Sequence, residues 1–586
     1  MIFASGLFSS YYLIEGIRSA AAGSAVSDAA VTAARATLAP LLHDFAARAA
    51  PGEADTERDL IEPVLAMLGW TDRVVQTAAG RSDVPDYLLF ASAAAKAEAV
   101  RLARTAERYT HGASILEAKA WGVPLDRGST ASPAPSTQML RYLGTIEVQS
   151  GGNIRFGILT NGRCWRLYDQ KARSRLEGFV EIDLADALPE TADGDHVLRL
   201  FLTLFGRNAF VPDAGGATTL TAALDRSRAF ESRVTTELAK TVFDTVFPDL
   251  ANALAATDPE RPAILDRAYL DALREAALTW LYRLLFTLYA EDRELLPTRG
   301  RDDGLWAMRR DIAAKRDAAH RFATARANYD GDLRALWHQI DVGDDGIGLP
   351  PYNGGLFAAG RSPLLDRSEI ADATFAPLLD AMSRERTGAD PRFINYRDLS
   401  VQHLGSVYER LLEFDLQADG AGVAVKPQTF ARKTSGSYYT PEDLVMLVIR
   451  RTVGPLLDER RAAFAAATPA DRARLDPATA FTRLRIVDPA MGSGHFLVSL
   501  VDYLADEIMR ATDEAAAVAG ADYRSPLLDR LASIRERITH HALPVLFALF
   551  INKIEGIKHH GDNRNFSQAG PKAQAFQHVG IAKTCH

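Results

Sequence analysis

Three side chains in the first quarter of the chain have types and spacing that could do chemistry. Asp86 stands in Val84-Pro-Asp-Tyr-Leu-Leu-Phe90, and Glu117 and Lys119 stand in Ser114-Ile-Leu-Glu-Ala-Lys-Ala-Trp121. Both runs read as strands. Residues two apart on a strand point to one face, so Glu117 and Lys119 share a side. If Asp86 lies on the neighbouring strand, two carboxylates and an ammonium converge. Asp86 and Glu117 would then hold a hard divalent cation such as Mg²⁺, which lowers the pKa of a water, while Lys119 steadies the nucleophile or a phosphate. That combination suits phosphodiester hydrolysis.

A second stretch, Leu484-Arg-Ile-Val-Asp488-Pro489-Ala490-Met-Gly492-Ser493-Gly494-His-Phe496, has an apolar run ending in an acid, glycines two apart, and an amphipathic run on to Met509. It predicts a buried parallel strand, a tight loop and a helix. Gly492 and Gly494 let backbone approach a ligand and aim N–H groups at it. A dinucleotide fingerprint needs a small residue where Leu497 stands, and a phosphate-binding P-loop needs Lys-Ser/Thr after the second glycine. Neither holds, which leaves a small nucleoside ligand.

The elements that must position these residues follow from patterning. Residues 56–70 have apolar positions at helical spacing with Gly69 as a stop. Ile158 to Tyr168 reads as a hairpin, with Asn161-Gly162 supplying the positive φ of a two-residue primed turn. Cys164 within it is expected to be a packed side chain. From Thr218 to about Arg334 the pattern is helical, with the apolar run Trp280 to Tyr289 as its buried centre. The expected class is α/β with a large helical middle region.

At 586 residues the chain is too long for one core. Two cysteines exclude a disulfide scaffold and a cysteine-built zinc site. Hydrophobic content of 47% with no uninterrupted apolar run of membrane-spanning length predicts a soluble, cytoplasmic protein with no membrane partner. A net charge of −8 gives no global attraction to nucleic acid, so DNA contacts must be local.

Two resemblances emerge from these motifs. Asp86, Glu117 and Lys119, followed by Gln138-Met-Leu-Arg-Tyr142 and by Thr160-Asn-Gly…Trp165…Tyr168, resemble the PD-(D/E)xK nuclease fold of restriction subunits. The resemblance makes Gln138 a further catalytic residue and duplex DNA the substrate. Asp488-Pro-Ala-x-Gly-Ser-Gly-x-Phe496, with Ser437-Tyr-Tyr439-Thr440-Pro441 upstream, resembles the S-adenosylmethionine motifs of N6-adenine DNA methyltransferases. It implies that Asp488 takes the methionine amino group. The backbone of Ala490 to Gly494 would line the ligand together with Pro489, Ser493 and Phe496, and Tyr439, Thr440 and Pro441 would close over it.

Together these motifs resemble a fused type IIG-like restriction-modification enzyme. The expected organisation is an arm (1–24), a nuclease-like domain (25–215), a helical connector (216–425), the N-terminal part of a Rossmann-like methyltransferase domain (426–545) and an irregular tail (546–586). Leu349-Pro-Pro-Tyr352 has leucine where the adenine-methylating motif needs Asn or Asp. No such motif follows Phe496, so this chain is expected to be a methylation-incompetent fragment. Rival expectations are a non-catalytic DNA-defence scaffold binding S-adenosylmethionine as a regulatory ligand, and a nuclease alone. The DNA target, a homo-oligomer and a separate specificity subunit stay open.

Overall fold

The computed structural model describes residues 5–527, apart from 11, 17–25, 76–83, 127–133, 173–177, 294, 298–301, 303, 352–354, 386–390, 400–413, 421, 428–439, 441, 489–494, 520–522 and 524. The chain is α/β and divides into two compact units. The first takes in Met1–Phe230, Arg450–Arg485 and Val501–Arg535; the second takes in Glu231–Ile449 and Ile486–Leu500.

The first unit is built on a six-stranded sheet whose strands lie in chain order. Helix α1, Asp28–Ala47, is capped by Ser27 and leads to α2, residues 53–67. The middle of α2, Glu57–Ile61, is a π-turn. Its cause is local. Pro63 has no N–H and its ring presses on the carbonyl one turn back, so a wider turn there relieves the clash. Gly69 at φ 83° ends the segment as its spacing predicts.

Strands β1, Arg73–Val75, β2, Tyr87–Leu89, and β3, Ser114–Ala118, run antiparallel in turn. Helix α3, Pro135–Gln149, then crosses over so that β4, Phe156–Thr160, pairs parallel with β3. Every residue of β3 and β4 is buried. Both faces are covered, which is why these runs are almost continuously apolar. Leu88, Ile115 and Leu159 pack with Met139, Tyr142 and Leu143 of α3 on one face. On the other face Tyr87, Leu116 and Ile158 pack with Leu60, Ile61 and Val64 of α2 and with Phe201 and Phe205 of α4, Ala192–Phe205. A Cβ on Gly157 would lie 2.7 Å from Met139 Sδ, so the glycine sets how closely α3 lies on the sheet.

Strands β5, Cys164–Asp169, and β6, Phe179–Asp183, complete the sheet. The β4–β5 turn differs from expectation. Asn161 faces Cys164, and only Gly162 has positive φ, at 84°. Gly162 and Arg163 are the central pair, while Asn161 Oδ1 accepts from the amides of Arg163 (3.1 Å) and Cys164 (2.7 Å). Cys164 is half-buried, and its thiol is pushed up to about 12 by burial and by Glu181 and Asp183.

The second unit centres on α5, Arg267–Asp292, buried without interruption from Ala276 to its end. Among its described residues are two antiparallel pairs that a helical connector did not anticipate: Arg384–Glu385 with Arg392–Phe393, and β7, Phe414–Asp419, with β8, Gly422–Pro427. Leu349 is buried and bridges back to Asp344 across a tight turn of residues 345–348, and Pro350 and Pro351 follow that turn without belonging to one. No helix among the described residues is long and apolar enough to cross a membrane.

The C-terminal segment corrects one expectation. Residues 484–488 belong to no strand, and Val487 is 67% exposed. Among the described residues no strand lies beside this run to pair with its backbone, and an apolar run without partners stays irregular. The regular elements there are helices: α6, Glu442–Thr452; α7, Gly454–Ala465; α8, Pro477–Phe481; and α9, His495–Ala519. Arg461 joins α7 to α9 through Glu507 and, at 2.7 Å, Glu514.

Candidate active site at the sheet end

Because β2 and β3 are antiparallel, with Tyr87 opposite Leu116, the start of β2 lies beside the end of β3. Asp86 immediately precedes β2, and its Oδ2 accepts from the Ala118 amide at 2.7 Å. Glu117 alternates with Leu116 and Ala118 and so shares the α3 face with Ile115. Lys119 Nζ lies 2.6 Å from Glu117 Oε1. The structure therefore brings together Asp86, Glu117 and Lys119. Gln138 reaches the group indirectly: its amide donates to Tyr142 Oη at 2.7 Å, and the Tyr142 hydroxyl lies in the field of Glu117.

Two acids were not singled out from the sequence. Glu53 and Glu57 are four residues apart on α2 and share a helix face. Glu53 Oε1 is 3.3 Å from Lys119 Nζ. Glu53, Glu57 and Asp86 each present an oxygen within 4.8 Å of the others. An i, i+4 pair of acids ahead of the two strand motifs was the available signal, but acids in the first turns of a helix are ordinary.

Electrostatics mark the cluster as strained. Burial, then the charge of Asp86, pushes Glu117 up to about 8 against the pull of Lys119. Burial raises Asp86, opposed by the Ala118 amide and by Lys119. Glu57 is raised by burial and by Asp86. Burial works against the Lys119 ammonium, but Glu117, Glu53 and Asp86 outweigh it and hold its pKa above the ordinary value.

These residues fit a divalent cation. Glu117 is 2% exposed, and its Oε2 is buried without a hydrogen-bond partner. An orphan oxygen beside mutually repelling carboxylates is what a hard cation relieves.

Of the residues expected at the nucleoside site, Thr440, Asp488 and Phe496 are half-buried, with Phe496 in the first turn of α9. Tyr439, Pro441, Pro489, Ala490, Gly492, Ser493 and Gly494 lie outside the described residues.

The chain is 24% identical over 270 residues to a presumed type II restriction enzyme and methyltransferase of Methanocaldococcus jannaschii. The match covers 39% of this chain and 21% of that protein, so it spans about a fifth of the relative's length. No protein-family profile matches the chain. No solved structure matches it either. The chain is thus distantly similar to a protein of the restriction-modification type.

Proposed function

We propose that this chain acts on double-stranded DNA as a restriction-modification enzyme whose sheet-end site hydrolyses phosphodiesters. Asp86 and Glu117 would hold Mg²⁺, Lys119 would balance charge on the scissile phosphate, and Gln138 with Tyr142 would border the site. A bound divalent cation supplies positive charge to the phosphate and makes water a better nucleophile at neutral pH. Lys119 is held by Glu117 and Glu53, so its ammonium stays charged and fixed. The observation that carries this reading is the convergence of Asp86, Glu117 and Lys119 around the unpartnered Glu117 oxygen. The test is cleavage of mixed-sequence duplex DNA with Mg²⁺, compared with Glu117→Gln. Equal cleavage by both proteins would remove the site from the reaction.

The methyltransferase half of the relative's name supports a second role. Residues 426–545 would bind S-adenosylmethionine through Asp488, the 489–494 loop and Phe496, under Thr440, in the service of adenine N6 methylation. The irregular 484–488 run and exposed Val487 favour a competing reading, cleavage without methyl transfer. Labelled S-adenosylmethionine and duplex DNA separate the two: transfer of label to adenine rejects the cleavage-only reading.

A further inference from the structure

We propose that Glu57 is a third carboxylate ligand of the sheet-end cation and that Tyr87 is the positioning residue that holds it there. The assignment rests on the reading of Asp86 and Glu117 as a cation site.

Tyr87 follows Asp86 in the chain but, by strand alternation, points to the opposite face, under α2. Its ring is 1% exposed, packed in the same core as Leu60, Ile61 and Leu116. Its hydroxyl lies 3.1 Å from Glu57 Oε2 and 3.4 Å from Glu62 Oε1. A phenol has one proton to donate, so two carboxylates compete for it. Arg73 stands 3.4 Å from Glu62 Oε2 and compensates that acid, which leaves the shorter bond and the proton to Glu57. The bond from Tyr87 thereby fixes the Glu57 carboxylate, which also presents an oxygen to Asp86 and Glu53.

Core packing alone does not ask for that hydroxyl, because phenylalanine would fill the same volume. The three oxygens of Glu53, Glu57 and Asp86 lie within 4.8 Å of one another, close to the roughly 4 Å that separates opposite ligands of a cation with bonds of about 2.1 Å. Lys119 engages Glu53 and Glu117, and the Ala118 amide holds Asp86, so Glu57 is the acid of the group that a neutral side chain anchors. The buried Glu117 oxygen without a partner is an independent sign that a positive ligand belongs beside the acids. A hydrogen bond that orients a ligand affects metal affinity by about ten- to a hundredfold.

The experiment is calorimetric titration of the metal-stripped full chain with Mn²⁺, using Asp86→Asn, Glu57→Gln, Tyr87→Phe and the Glu57→Gln/Tyr87→Phe double variant. Thermal unfolding serves as the check on folding. Asp86→Asn is expected to abolish binding. Glu57→Gln and Tyr87→Phe are each expected to weaken it about tenfold, with the double variant no weaker than Glu57→Gln. Wild-type affinity in Glu57→Gln, or a further loss when Tyr87→Phe is added to it, overturns the assignment while leaving Asp86 and Glu117 in place. Wild-type affinity in Asp86→Asn instead overturns the cation site itself, and this assignment with it.

Discussion

Two apolar runs of the chain each deliver an acid, Glu117 from Ser114–Ala118 and Asp488 from 484–488, and they are supported in opposite ways. Strand β3 lies between β2 and β4, is buried at every position and holds its acid at 2% exposure. The 484–488 run has no strand beside it among the described residues, and Val487 is 67% exposed. Hydrophobicity alone therefore does not make a strand. Neighbours must accept its N–H and C=O groups, and β3 obtains them from an antiparallel strand before it and from a crossover through α3 after it.

The contrast can be broken or sharpened by experiment. The largest effect is expected in the buried site: Asp86→Ala should remove about 4 kcal/mol of transition-state stabilisation, roughly a thousandfold in the rate of Mg²⁺-dependent DNA cleavage, with the circular dichroism spectrum unchanged. Retained cleavage would make the buried acids structural. Next, Ile115→Ala should cost about 2 to 5 kcal/mol in denaturant unfolding, whereas Val487→Ala should stay within about 0.5 kcal/mol. Equal costs would show that 484–488 is packed in solution, erasing the difference between the runs.

A smaller effect concerns ligand binding. Asp488→Ala should weaken S-adenosylmethionine binding about ten- to a hundredfold by calorimetry, the value of a hydrogen bond to a charged group. Unchanged affinity there and in Gly492→Val would move the nucleoside ligand away from the glycine loop. The smallest is a pH effect on the cation-free chain. Glu117 sits at about 8 in the fold against 4.5 ordinarily, so the folded chain holds this proton more tightly than the unfolded one. The stability it contributes is full below pH 4.5 and is lost as pH rises through about 8. Melting temperature in EDTA should fall by an amount on the order of 5 °C across that window, and by less in Glu117→Gln.

Asp86, Glu117 and Lys119 were legible because a strand's period of two and an antiparallel neighbour are local patterns that bring nearby positions together. Glu53 and Glu57 were not, since they lie on another element and look like the acids that commonly open a helix. Tyr87 read as a core aromatic, and its hydroxyl acquires a role only once α2 is laid over β2. The Asn161-Gly162 turn was placed correctly but misread inside: the asparagine acts through its side chain, leaving positive φ to the glycine. Hairpin β7–β8 falls at the end of the stretch expected to be a helical connector, where the helical pattern upstream says nothing of the strand pairing. The strand expected at 484–488 failed because its partners could not be read from the run itself.

The π-turn in α2 divides the labour of one helix. Glu53 and Glu57, up to the start of the wide turn, face the acids, while Leu60, Ile61, Val64 and Leu65 face the core. A uniform α-helix ties both sets to one angular phase, so any rotation that improves one worsens the other. An extra residue in a turn uncouples them. The shifted phase lets the acids meet Asp86 while the apolar side chains stay seated on the sheet, so the wide turn works as a fixed angular offset between two faces of one rod.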